Sequence, residues 1–166
     1  MPPQPIRREP SGDFSIELDP SVLDMLEHMC AELEALLESD SPLLTRLFPP
    51  PYGDDEERNE GYAALATPEL MDNRTAAIAT LRETLRATSL TAEELMAWMR
   101  SINDMRLVLG TLLGIDNDHA MPDIAEDMAD TYAVYEYLGY LLEVIVVPLN
   151  STIEDLPGDD VGGSAN

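Results

Sequence analysis

Few residues in this chain have the types needed for chemistry, and their spacing decides against most of it. His28 and Cys30 are two apart; on a helix that turns them to different faces, whereas a metal centre needs several ligands at fixed geometry. Asp116, Asp118 and Asp127 imitate positions one, three and twelve of a calcium loop, but Ala120 stands at position five and Met121 where the loop needs glycine. Glu93, Glu94 and Asp104 share one stretch without a histidine or a glycine-rich loop, and read as a helix cap and a solvated face. The sequence therefore nominates no catalytic, cofactor-binding or metal-ligating residue.

The more informative polar residues are Asn103 and Arg106, three apart beside an apolar stripe, with Gly110 on the same flank. A guanidinium so near a core needs a carboxylate or backbone carbonyls, and its planar fork suits a bidentate pair. Asp54 and Asp55, in the turn that follows Pro49, Pro50, Pro51 and Tyr52, are the expected partners, with Glu136 and Glu143 as alternatives. A structural network is the bland reading of these residues and a ligand site the sharp one. A second set is Tyr132, Tyr135, Tyr137 and Tyr140, whose offsets spread them around a helix, so that some must face outward and could anchor a partner.

The elements that must position these groups are mostly helices. From Leu90 to Ile115 every signal agrees on one long helix. Thr91 and Glu94 form a capping box, and Leu90 and Leu95 are spaced as a hydrophobic staple. Leu95, Trp98, Met99, Ile102, Met105, Leu109, Leu112 and Leu113 recur at helical intervals up to a terminating Gly114. Asp19 and Pro20 open a first helix, and Ser41 and Pro42 a short one that ends near Phe48. A weaker helix follows Asp55 through Tyr62 and Leu65; Thr67 and Pro68 start the next, which closes near Ala87 and packs antiparallel to the organising helix. The last helix runs from Pro122 to about Val147 and stops at Pro148. Ile6 to Glu9 and Phe14 to Leu18 predict a β-hairpin around Pro10 to Asp13.

The fold class expected is mainly α, a compact single-domain helical bundle with a short N-terminal β-hairpin. Residues 1–13 would be the flexible Pro-rich start of the hairpin, 14–149 the helical domain, and 150–166 an acidic disordered tail. The 166 residues include 33 acidic and 9 basic ones, all nine arginine, for a net charge of -24. Nucleic-acid and anionic-membrane binding draw on basic patches that this chain lacks, so neither is expected; the charge favours a basic protein partner, and a homo-oligomer is left open. With Cys30 the single cysteine, and no run expected to reach a transmembrane length, the expected location is cytoplasmic.

Three blocks carry a resemblance. Leu47-Phe48-Pro49 with Tyr52-Gly53-Asp54-Asp55, then Ser101 through Thr111, then Tyr135-Glu136-Tyr137-Leu138-Gly139-Tyr140 look like the signature blocks of an uncharacterised actinobacterial family, number two thousand seventeen in the domain-of-unknown-function series. Tyr137 and Tyr140 stand where members tend to carry tryptophan, and the Pro-rich start and acidic tail lie outside the resemblance. The family has no established activity; its genes often neighbour a ClpS-type adaptor, and some members are labelled transcriptional regulators. The resemblance thus implies an interaction or adaptor module, with a link to regulated Clp-type proteolysis. The alternatives are a transcriptional regulator or an enzyme with an unrecognised site. Tyr52, Asp54, Asp55, Asn103, Arg106, Gly110, Tyr137 and Tyr140 are the candidate structural or interaction residues.

Overall fold

A computed structural model of the chain describes residues 4–39, 41–47, 55–115 and 124–154. The helix that organises it, α3, is Ala92–Leu112, preceded by β1 (Ile6–Arg8), β2 (Phe14–Ile16), α1 (Pro20–Leu37), α2 (Glu56–Thr84) and β3 (Ser89–Leu90), and followed by α4 (Ala129–Glu154). The α3 ends are as the sequence specifies. The Thr91 hydroxyl accepts from the Glu94 amide and the Glu94 carboxylate accepts from the Thr91 amide, so both orphan donors are met. At the other end Gly114 takes φ +72°, the Gly114 amide donates to Thr111 O and the Ile115 amide to Gly110 O. That is a Schellman closure, and a side chain at Gly114 would be strained in it.

Because α3 carries apolar residues around most of its circumference, it packs against α2 on one side and α4 on the other, with α1 and the 3-10 turn Pro42–Arg46 completing the surround. Leu95, Trp98, Ile102 and Met105 are buried, while Leu109 at the C-terminal end is only half-buried. The indole N–H of Trp98 donates to the Thr84 hydroxyl at 2.7 Å, tying α3 to the end of α2. This polar tip is satisfied inside the core, as burial of tryptophan requires.

The expected hairpin forms, with Ile6 opposite Ile16 and Arg8 opposite Phe14. It is joined by a third strand, which includes the Leu90 expected to open the long helix. Phe14 pairs with Leu90 and Ser15 with Ser89, giving an antiparallel sheet of order β1-β2-β3. The α2 to α3 connection thus doubles as a strand, and Ile6, Phe14, Ile16 and Leu90 bury one face of the sheet. A two-stranded unit is not stable alone; the added strand and the helices beneath supply what it lacks.

Two proline boundaries are corrected. No new helix begins at Thr67: α2 runs unbroken through Pro68 from Asp55, whose carboxylate accepts from the Arg58 amide as N-cap. Likewise α4 passes through Pro148, which is buried, to Glu154. Each proline removes one backbone donor and crowds the preceding turn. The Glu126–Asn150 segment is also long and apolar enough to span a membrane by length and composition, contrary to the expectation that no run reaches that measure. In the fold Leu138, Leu141 and Ile145 of that segment are buried in the core.

Candidate docking surface

Two polar knots hold α3 to its neighbours. In the first, the Arg74 guanidinium from α2 pairs with Asp104 of α3 and donates to Leu47 O at 2.8 Å. Asp104 is 4% exposed, so it is a buried carboxylate and not the solvated residue expected from its sharing one helix with Glu93 and Glu94. Burial lifts its carboxyl above the ordinary value, while the Arg74 hydrogen bond and charge pull it part of the way back. A sequence signal for this pair existed. Arg74 falls on the apolar side of its helix among Leu70, Met71, Ala77 and Ile78, and a charge at a core position demands a partner.

The second knot is Arg106, and it differs from expectation. Its guanidinium lies over the Tyr135 ring, 4.3 Å from the centroid, and its Nε is buried with no hydrogen-bond partner. Asp55 is occupied by Arg58 instead, at 3.5 Å, and Tyr52 and Asp54 lie outside the described residues. Glu136 accepts from the Tyr132 hydroxyl at 2.7 Å. Arg106 is therefore held by an aromatic face and not by a carboxylate among the described residues. A Cβ at Gly139 would stand 3.1 Å from Arg106 Nε, so glycine is what admits the guanidinium. Gly110 is buried on the same helix, whereas Asn103 is exposed on the seam between α2 and α3.

The tyrosines divide as their offsets require. Tyr132 and Tyr135 stack at 6.2 Å and are half-buried; Tyr137 is half-buried against Tyr140 at 5.7 Å, and burial raises the Tyr137 phenol. Tyr140 is 49% exposed and Val147, two turns on, 61% exposed. Glu136 and Glu143 are exposed on the same face, one turn from Tyr140 on either side, so α4 presents an apolar and acidic stripe to solvent.

A second uncovered surface lies at the other end of α4. Met25, Met29 and Leu36 of α1 face Met105, Leu109 and Leu112 of α3 across a groove of about 480 Å³, and Thr131 and Val134 of α4 close it. His28 and Glu32 stand at its rim, 3.9 Å apart. Leu112 is 48% exposed there. Cys30, on the opposite side of α1, is buried and its thiol is pushed up to about 11 by loss of solvent, which leaves it neutral and unreactive. Among the described residues no three His, Cys, Asp or Glu side chains gather in a way that could hold a metal ion.

The blocks that carried the family resemblance meet in these knots: Leu47 and Asp104 through Arg74, Arg106 with Tyr135 and Gly139. A protein from Mycobacterium leprae described as a putative oxidative stress regulator, AosR, is 29% identical over 132 residues, which are 68% of this chain. The alignment spans 60% of that relative's length. No solved structure matches the chain. A family model described as a domain of unknown function, DUF2017, matches residues 3–149, nearly all of the described fold, and the chain belongs to that family.

Proposed function

We propose that this chain is a protein-interaction module with a regulatory role, acting by contact with a basic protein partner in the cytoplasm. The observation that carries the reading is the α4 stripe, where Tyr140 and Val147 are exposed beside Glu136 and Glu143 on a chain of net charge -24. Aromatic and aliphatic anchors supply contact energy, and the surrounding charge steers a cationic partner and repels others. The description of the Mycobacterium leprae relative as a regulator supports a regulatory setting. Regulated Clp-type proteolysis is a concrete setting of that kind, and it rests on the family resemblance. Direct action on nucleic acid is the weaker form of the regulator reading, since phosphate neutralisation needs cations that this surface lacks.

Affinity capture with the full chain, repeated at rising salt and with Tyr140→Ser combined with Val147→Ser, tests the proposal. A partner that is lost on both treatments is the expected result. No protein partner, or binding indifferent to salt and to the double substitution, would move the reading to an enzyme or a purely structural role.

A further inference from the structure

We infer that the methionine-lined groove between α1, α3 and α4 is a second docking site, and that its occupant is a basic amphipathic helix of another protein. This rests on the reading of the chain as an interaction module and names a different surface and a specific partner chemistry for it.

Three observations select that occupant. The first is the lining. Met25, Met29 and Met105 contribute unbranched, polarizable side chains beside Leu109, Leu112 and Val134. Methionine-rich surfaces adapt to varied apolar side chains, which suits a peptide helix better than a rigid small molecule. The second is length. Met25 to Leu36 covers three turns of α1, about 16 Å, which is long enough for the roughly 10 Å between apolar anchors spaced i, i+3 or i+4, and i+7 on a docked helix.

The third is charge. Neither α1 nor α4 contains a lysine or arginine. On the side of α1 toward α2, Glu34 pairs with Arg82 at 2.8 Å, and Asp24 and Glu27 share Arg86 at 2.8 and 3.6 Å. On the groove side Glu32 has only His28 beside it among the described residues, and Asp127 and Asp130 are exposed just before Thr131. The groove rim therefore carries carboxylates with no arginine beside them among the described residues, Glu32, Asp127 and Asp130. A second copy of this chain would bring like charge to like charge, so self-association through this face is disfavoured.

The probe is a synthetic 18-residue helix with leucines at the anchor spacing and lysines on its flanks, compared with a twin in which glutamate replaces every lysine. The full chain, labelled at its methionine methyl groups, is titrated with each and followed by NMR. The lysine peptide is expected to shift the Met25, Met29 and Met105 methyl resonances and to bind at least ~tenfold more tightly than its twin at low salt, with the difference shrinking as salt rises. Leu112→Ser, which removes an exposed apolar contact and leaves thermal unfolding unchanged, should weaken the lysine peptide about tenfold. Equal binding of the twins overturns the inference. So does a response confined to other methyls, or a response of these three to a long-chain fatty acid but to neither peptide. If the groove fails in one of these ways while capture still returns a partner dependent on Tyr140 and salt, the groove assignment falls and the interaction reading stands. If capture fails too, both fall.

Discussion

Asp104 and Arg106 sit two residues apart on one helix and are solved by different physics. Asp104 exchanges its water for Arg74, and because Arg74 also donates to Leu47 O, the ion pair pins the 3-10 turn to the α2 and α3 seam. Burial leaves the folded carboxyl above its ordinary value of 3.8. A carboxyl raised on folding holds its proton more tightly in the folded state. Its contribution to stability is thus fully present below 3.8 and is lost as pH rises through the higher folded value. Arg74→Met should cost about 3–5 kcal/mol at neutral pH, because it strips the cation from a buried carboxylate. Removing Arg74 raises the Asp104 carboxyl further, so the loss should shrink in urea unfolding at about pH 5, where protonation relieves the unpaired charge. A loss independent of pH would assign the damage to packing and the Leu47 contact. Arg106→Met should cost only about 1 kcal/mol with little pH dependence, the worth of a partly exposed cation on an aromatic ring.

At the scale of elements, the prolines separate local preference from tertiary outcome. Pro68 follows Thr67 in the pattern of a helix start, and Asp55 twelve residues earlier offers another N-cap. The structure uses the Asp55 start and carries the helix through the second signal, joining two expected helices into one. A proline inside a helix forfeits the bond to the carbonyl four residues earlier and strains the preceding turn. Pro68→Ala should therefore restore a backbone bond and raise stability by about 1–3 kcal/mol in thermal unfolding. A fall in stability would mean that α2 depends on the bend the proline imposes. The same comparison explains α4. Its apolar composition satisfies the length of a membrane span, yet the core takes only the face of Leu138, Leu141 and Ile145, which leaves Tyr140 and Val147 at the surface.

Across the whole molecule, charge is distributed unevenly in effect if not in count. Arg58, Arg74 and Arg82 of α2 and Arg86 just after it are engaged with Asp55, Asp104 and α1, so the remaining acids repel one another with little nearby relief. Net charge of -24 destabilises a compact chain through self-repulsion that salt screens. The melting temperature should rise by several degrees between about 0.01 and about 0.5 M sodium chloride, beyond the Debye screening of single surface pairs. A flat or falling response would show that the exposed ion pairs of α1 and α2 outweigh the repulsion.

Sequence by itself determined what depends on neighbours along the chain. The capping box at Thr91, the closure at Gly114, the α1 start at Asp19 and Pro20, and the alternation of Phe14 and Ile16 are short-range, and each is present in the fold. The buried Trp98 and Ile102 follow from the same helical period. Legible too were the family and the outward turn of part of the tyrosine set, since residues two and five apart on one helix point to different faces. Only the tertiary structure decided which carboxylate meets which arginine. Arg74 and Asp104 are thirty residues apart, and the pairing depends on the register of α2 on α3, which no local pattern encodes. It also decided that Arg106 meets Tyr135 because Gly139 lets α4 come close, that Leu90 serves as a strand residue, and that α1, α3 and α4 leave a groove between them. Packing geometry is a property of several helices at once, and the space they fail to fill is set by all of their side chains together.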